Sequence, residues 1–458
     1  MMALVAACSG SSTNPSPSPA SSTGSTSAPA APAATAAPQS TGGTSIQYWT
    51  FMPTASRFPG RPQMFAPFEK ENNAKIAITE ITDLNAMSEK LLAASAAKQV
   101  PDLLDPGFTE MAVSWGKAGI TLDLSDVITA LGGADKFYPG WIRDLSCGGK
   151  MHGVPYMAPV LILWYRKDIF QEKNIKVPAT WDDWLIAAEK AGGVDSTTKK
   201  QVYGVSGYLS ATHAHVMWQN LVGPNNGVTF DQNLKLVVDK NPQTLHAMEF
   251  MLKLSKYFQP GAVNANYGDT GNLFASGTLA MTMTSTTEAN AIIKAHADMI
   301  PKCATTSIPF GSDADKSRGA YGDCYSWAVP TQSKNVQLSK KFIQWFMTPS
   351  TYIEAFKTID YGHTPVLQSV INDPQFAKIV PAFGLDVVKT GLEASKIATL
   401  PAEDYGPNPL ANLITTTGTW SNFLQRLYNK ADTPQAGLNS LASKINQLVQ
   451  DNPTQLGC

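Results

Sequence analysis

Two histidines one residue apart, His213 and His215 in "SGYLSATHAHVM", form the arrangement in this chain that looks most like metal chemistry. An HxH pair on one strand face presents both imidazoles to a single ion. No carboxylate or cysteine cluster nearby completes such a site. We therefore expect no metal and no cofactor, and read the pair as a loop or a helix N-terminus. The signatures of common enzymes are missing too: there is no HExxH, no GxSxG elbow, no P-loop and no GxGxxG. The formal net charge is −1, which gives no reason to expect a nucleic acid or an anionic membrane surface as partner.

Cysteine supplies a different chemistry. "LVAAC", Leu4 to Cys8, resembles the lipobox of bacterial lipoproteins, in which the thiol is acylated and the chain is cut before it. The stretch before it lacks the basic n-region and longer apolar h-region of an export signal, so residues 1–8 read as the remnant of one. From Ser9 to Ser45 the chain is nearly all Ser, Thr, Pro, Ala and Gly, without one charge. Such a segment cannot bury enough apolar surface to offset its ordering entropy and reads as a disordered tether. With Cys8 as lipid attachment, Cys147, Cys303, Cys324 and Cys458 remain. An even number in an exported protein allows two disulfides in three connectivities. Cys303 with Cys324 is favoured, because they flank one connection between two expected strands, and Cys147 with Cys458 follows by default.

These groups need elements to position them. "SIQYWTF" (Ser45 to Phe51), "AKIAITEI" and "VPDLLD" read as strands, with helices between them. This alternation argues for an α/β fold with mainly parallel sheet. In "PATWDDWLIAAEKAGG", Thr180 is a helix cap with Asp183 three residues on, and Gly192 ends the helix. Trp181 and Trp184 share the buried face of that helix. "VYGVSGYLS" reads as a strand, and "AMTMT" as another after the Gly277 turn. "LSKKFIQWFMTPSTYIEAF" reads as two helices broken at Pro349. A last helix is capped by Thr433, with Pro434 in its first turn. The apolar run Val160–Tyr165 is far short of the ~20 residues that span a bilayer. It reads as a buried strand, with Arg166-Lys167-Asp168 returning the chain to solvent.

The ordered set "IQYWTF", "FEKENNAKIAI", "VPDLLD", "GGKMHGVPYMAPVLILWYRKDIF", "VPATWDDWLIAAEKA", "FASGTLAMTMTST", "YGDCYSWAVPTQSKNVQLSKKFIQWFMTPS" and "DTPQAGLNSL" resembles the family 1 extracellular solute-binding proteins. These are the receptors of bacterial ABC importers, with maltose- and oligosaccharide-binding members. The resemblance runs from Ile46 to about Val449. It departs from the pattern at "YGDC", where adjacent glycines are usual, and at Arg166, where Asn is usual. It implies a two-lobed α/β, periplasmic-binding-protein-like fold of type II, with a hinge of two or three crossings and the ligand in the cleft. By analogy the crossings fall at about 154–160, 303–311 and 356–361. Lobe 1 is then 46–155 plus 310–355, and lobe 2 is 160–303 plus 360–458.

The resemblance sends a set of aromatic and polar residues to the cleft. They are Trp49, Phe51 and Thr54 after the first strand, Asp105 and Phe108 after "PDLL", and Tyr156 at the first crossing. His213, His215 and Trp218 follow "YGVSGYLS". Thr284, Ser285 and Thr286 follow "AMTMT", and Tyr321, Tyr361 and His363 complete the ring. Rings suit the flat CH faces of a sugar, and polar groups suit its hydroxyl rim. The expected function is capture of a mono- or oligosaccharide outside the cell and delivery to an ABC permease, by a monomer held to the membrane only through lipid. Two alternatives stay open at this point. One is a receptor for a polyamine or phosphate ester, with Arg57 and Arg61 available to an anion. The other is an anchored polysaccharide hydrolase, for which Asp105, Glu80 and Glu288 are the carboxyl candidates.

Overall fold

The computed structural model describes residues 43–312, 314–359 and 363–458, the side chains of residues 56–57 and 84–85 excepted. The lipobox with Cys8, the tether up to residue 42, Tyr361 and the side chain of Arg57 lie outside the described residues.

The first strand, Thr44–Thr50, alternates as its sequence dictates. Ile46, Tyr48 and Thr50 are buried, while Ser45 and Gln47 face water. It is the centre of a parallel three-stranded sheet, between Ala74–Glu80 and Leu103–Asp105. Helices Arg61–Glu71 and Leu84–Ala96 make the crossovers that parallel pairing requires.

The second sheet is antiparallel, where the sequence pattern led us to expect mainly parallel pairing. Leu161–Arg166 runs at its centre, between Met281–Ser285 and Cys303–Thr306. Ile162 and Trp164 pack into one core and Leu161 and Leu163 into the other. Burial on both faces is why this strand reads as an unbroken apolar run. Arg166 does not return the chain to solvent. It is 5 % exposed and pairs with Asp168 at 2.6 Å and Asp195 at 3.2 Å.

A third ladder joins Val154–Met157 to Tyr325–Trp327, and Ala328 bridges to Leu104. Close by, three passes of chain lie side by side: Ala158 pairs with Thr364, and Val160 with Gly322. Tyr156 stacks on Trp327 at 4.5 Å, and Trp327 meets Phe342 edge-on at 5.4 Å.

Several helix boundaries follow the sequence closely. Thr180 accepts from the Asp183 amide, Thr433 from that of Ala436, and Trp181 stacks on Phe250 at 4.1 Å. The two helices on either side of the Pro349 break are Val336–Phe346 and Pro349–Phe356. "VYGVSGYLS" is not a strand. Only Gln201–Val202 and a bridge at Tyr203 are extended-paired. Glycine explains this: a Cβ on Gly204 would lie 2.1 Å from the Ala188 carbonyl oxygen. The segment packs against helix Trp181–Ala191 more closely than a strand with side chains allows.

The favoured disulfide is also corrected. Cys147 is bonded to Cys458, while Cys303 and Cys324 are free and buried. Cys303 pairs with Arg166 in the antiparallel sheet, whereas Cys324 adjoins Tyr325, which pairs with Met157 in the other ladder. Adjacency in the connection did not translate into adjacency of side chains. Burial pushes the Cys303 thiol up to about 12.

Candidate ligand-binding site

The parallel strands deliver their carboxyl ends to one cavity of about 250 Å³. Phe51, Met52 and Pro53 follow the first strand, Thr82 the second and Phe108 the third. Ligands of open α/β sheets lodge at this end, because loops there are free of the sheet's own packing. The facing wall comes from the antiparallel sheet and its helices. Leu161 and Ser285 are cross-strand partners there. His213 caps helix Ala214–Val222, which carries His215 and Val216, and Tyr267 opens helix Tyr267–Ala275. Pro159, Tyr321, Asp323 and Tyr325 complete the lining.

The loop on the first wall is rigidly held. Thr50 donates to Asp105 at 2.8 Å and accepts from the Met52 amide at 3.0 Å. Arg61, fully buried, donates to the Met52 carbonyl at 3.1 Å and to Thr54 at 3.3 Å. The Thr54 amide reaches Glu80 at 2.9 Å. Arg61 therefore braces the loop from behind and is not offered to an anion.

Asp323 is the one carboxylate in the described lining, and it is completely buried. Its Oδ1 accepts from Cys324 N at 2.7 Å, Thr109 Oγ1 at 2.8 Å and Thr109 N at 3.3 Å. Its Oδ2 accepts from the Tyr321 hydroxyl at 3.3 Å. Burial and the neighbouring Glu110 hold its carboxyl well above the usual carboxylate range. Burial also keeps His213 and His215 neutral at pH 7, pushing them down to about 4 and about 3. The wall thus carries ring faces and hydrogen-bonding groups with no Lys or Arg among its described residues.

Of the positions proposed from sequence, Phe51, Phe108, His213, His215, Ser285 and Tyr321 come together here. Tyr361 lies outside the described residues, and the other described positions do not line the cavity. Trp49 is half-buried under the Lys90 ammonium, 4.4 Å from its ring. Thr54 is tied to Arg61 and Glu80. Asp105 and Tyr156 are buried and bonded to each other at 2.9 Å. Trp218 is fully buried against Trp420, at 4.7 Å, and Phe423. Thr284 and Thr286 are buried on and after their strand. His363 is buried, 5.8 Å from the Tyr325 ring.

Asp323, Tyr325 and Tyr267 were missed. A signal for two of them was present. In "YGDCY", residues 321, 323 and 325 alternate, so an extended chain turns all three to one face. Tyr267 stands one residue after Asn266, which forms a capping box with Asp269 and so fixes where the helix begins.

Comparison with known proteins agrees with this architecture. The family profile described as bacterial extracellular solute-binding protein matches residues 63–382. The arabinooligosaccharide-binding protein of Bacillus subtilis is 25% identical over 313 residues, 66% of this chain and 69% of that protein. An ABC transporter solute-binding protein of Agrobacterium radiobacter, solved with ribitol, superposes with a TM-score of 0.73 at 19% identity, covering 89% of this chain and 99% of that one. The maltose-bound MalE3 of T. maritima gives 0.73 at 17% identity, covering 88% and 100%. The fold is thus the two-lobed one of the periplasmic binding proteins. With its profile match over most of the chain, this protein belongs to the bacterial extracellular solute-binding proteins.

Proposed function

We propose that the protein captures a carbohydrate outside the cell and hands it to the membrane permease of an ABC importer. The observation that carries this reading is the cavity wall. Phe51, Phe108, Tyr267, Tyr321 and Tyr325 offer ring faces, while Asp323, Ser285 and the two neutral imidazoles offer hydrogen bonds. A ring that covers ~50 Å² of sugar CH surface contributes about 1.3 kcal/mol. Several such faces suffice to hold one or two sugar units after association costs. The names of the similar proteins, which bind an arabinooligosaccharide, ribitol and maltose, support the same class.

The lobes divide at about 46–155 with 310–355, and 160–303 with 360–458. The three adjacent passes near Ala158–Val160, Gly322 and Thr364 then act as the hinge. The second and third crossings thus fall later than the 303–311 and 356–361 implied by the resemblance, and residues 310–321 go with lobe 2. Closure brings the two walls together. Lipid on Cys8, followed by the Ser/Thr/Pro/Ala-rich segment, keeps the receptor on the outer face of the membrane. Two features count against the alternatives. A glycosidase needs two facing carboxyls, and the described lining has one. A phosphate site calls for basic groups, and that lining has no Lys or Arg.

Isothermal titration against a panel of mono- and oligosaccharides and polyols tests the assignment. Micromolar or tighter binding of at least one saccharide is expected. Binding of a peptide or a phosphate ester, with silence from every sugar and polyol, would sink it.

A further inference from the structure

We propose that Thr109, which does not line the cavity, is a positioning residue for sugar recognition: it holds one oxygen of Asp323 so that the other, shared with the Tyr321 hydroxyl, takes a sugar hydroxyl. The inference rests on the carbohydrate reading and assigns the part of the wall that tells one sugar from another.

Thr109 opens helix Thr109–Lys117 and is fully buried. Phe108 before it gives the helix no side-chain cap, and Asp323 fills that place from 214 residues away. Its Oδ1 takes the first amide of the helix at 3.3 Å and the Thr109 hydroxyl at 2.8 Å. The Cys324 amide, at 2.7 Å, completes the set. Three donors from two segments saturate Oδ1 and fix the rotation of the carboxyl group.

Oδ2 is held differently. It accepts from the Tyr321 hydroxyl at 3.3 Å, beyond the ~2.5–3.0 Å usual for O–H···O pairs. Asp323 and Tyr321 both line the cavity. Tyr321 is anchored to the other wall. Its amide donates to Asn220 at 3.1 Å, its carbonyl accepts from the Leu161 amide at 3.1 Å, and its ring meets that of His215 at 5.7 Å. The long bond therefore joins two groups fixed by different parts of the molecule. Neither shortens it without straining closer bonds, and a third group placed against both can satisfy them better.

A hydroxyl is the group that fits. It donates to Oδ2 and accepts from the Tyr321 hydroxyl at once. When the carboxyl is protonated, the donors on Oδ1 leave the proton on Oδ2, and the same hydroxyl bonds with the roles exchanged. A C–H or an ether oxygen at that place leaves a buried partner unpaired, which is how a site separates sugars that differ at one carbon. Thr109 needs no contact with the sugar to matter. Without its hydroxyl Oδ1 loses the 2.8 Å bond, and the carboxyl is free to turn Oδ2 away from Tyr321.

The test is calorimetry at pH 7 on wild type, Thr109→Val, Thr109→Ser and Tyr321→Phe. The probes are glucose, galactose, xylose, arabinose, maltose and cellobiose, then every monodeoxy analogue of the one that binds tightest. Wild type should reject at least one deoxy analogue roughly tenfold or more. In Thr109→Val the parent sugar should bind roughly tenfold more weakly, and that discrimination should shrink to about threefold or less while discrimination at the other carbons stays. Thr109→Ser, which keeps the hydroxyl, should restore both, and Tyr321→Phe should lose the same discrimination. Thermal melts confirm that each variant folds, and where Thr109→Val does not, Tyr321→Phe carries the test. Wild-type discrimination in folded Thr109→Val or Tyr321→Phe overturns the inference. So does an equal loss for the parent and all its analogues, the mark of a purely structural change. Thr109→Ser binding as poorly as Thr109→Val assigns the effect to packing and overturns the role of the hydroxyl. Deoxy analogues that all bind like the parent overturn this inference and leave the carbohydrate reading intact. Silence from all six sugars counts against the carbohydrate reading itself, and the inference falls with it.

Discussion

The disulfide between Cys147 and Cys458 joins positions 311 residues apart and ties the end of the chain to the Ser146–Met151 hairpin. The residue before it, Gly457, donates its amide to Asn408 at 2.9 Å and packs on Leu234. In the lobe assignment proposed above, Cys147 belongs to one lobe and Asn408 and Leu234 to the other. The bond is therefore a tether across the edge of the molecule as well as a constraint on the unfolded chain.

Loss of that bond should be costly. Cys147→Ser with Cys458→Ser is expected to lose about 2–5 kcal/mol of stability, read from urea unfolding. Peptide mapping after alkylation in denaturant should find Cys303 and Cys324 modified and Cys147 and Cys458 still linked. A Cys303–Cys324 peptide would reverse the pairing.

The two classes of aromatic residue should separate on mutation. Tyr325→Ala and Phe51→Ala remove ring faces from the cavity and should weaken sugar binding about tenfold or more, near 1.4 kcal/mol, in protein that melts close to wild type. Trp218→Ala empties a packed site against Trp420 and should cost about 3–5 kcal/mol of stability. Calorimetry and thermal melts on the three variants make the comparison. A tenfold affinity loss in a fully stable Trp218→Ala would return Trp218 to the site.

Tyr156→Phe should behave as a structural change. It deletes a donor to the buried Asp105, whose carboxyl burial already raises, and should cost about 1–2 kcal/mol. Affinity for the best saccharide should stay within about twofold of wild type, well under a 1.4 kcal/mol change. A large affinity loss at unchanged stability would place the hydroxyl on the ligand.

The histidine pair gives a signed pH effect. Folding lowers both imidazole values, from the usual 6.5 to about 4 and about 3. The unfolded chain then binds more protons than the folded one between those values. Their neutrality is free of cost above pH 6.5, and stability is lost as pH falls from there toward 4. The loss approaches about 1.4 kcal/mol per pH unit for each imidazole. The buried acids have an opposing slope, so the sign is read from a difference. His213→Asn with His215→Asn should gain on wild type steadily from pH 6.5 to 4.5 in urea melts. Parallel curves would mean that the folded protein protonates these imidazoles as readily as the unfolded chain does.

Local signals predicted much of the architecture because they act over a few residues. Thr180 and Thr433 announce helix starts by the hydrogen bonds they accept, and Pro349 announces a break by the one it cannot donate. The apolar run Val160–Tyr165 marks a buried strand, but neither the burial of Arg166 at its end nor the strand's pairing was visible. Parallel and antiparallel neighbours both demand apolar residues on two faces. The site was half legible for a related reason. Phe51, Phe108 and Ser285 sit at strand ends, which a strand pattern locates. Trp218 misled because its ring type suits a sugar and a core equally, and only the packing of Trp420 distinguishes them. Asp323 stands in "YGDC", where the departure from adjacent glycines masks the signal that its alternation with Tyr321 and Tyr325 carries. Cys147 with Cys458 followed only by default from a Cys303–Cys324 bond that does not form, because the path of the whole chain, which no spacing encodes, decides which thiols meet.

A crystal structure of the protein with its tightest-binding saccharide tests the central claim most directly. The sugar ring should lie in the 250 Å³ cavity against Phe51 and Tyr325, with a polar group of the ligand within hydrogen-bond distance of Asp323. A saccharide bound elsewhere, with this cavity filled only by water, would contradict the account.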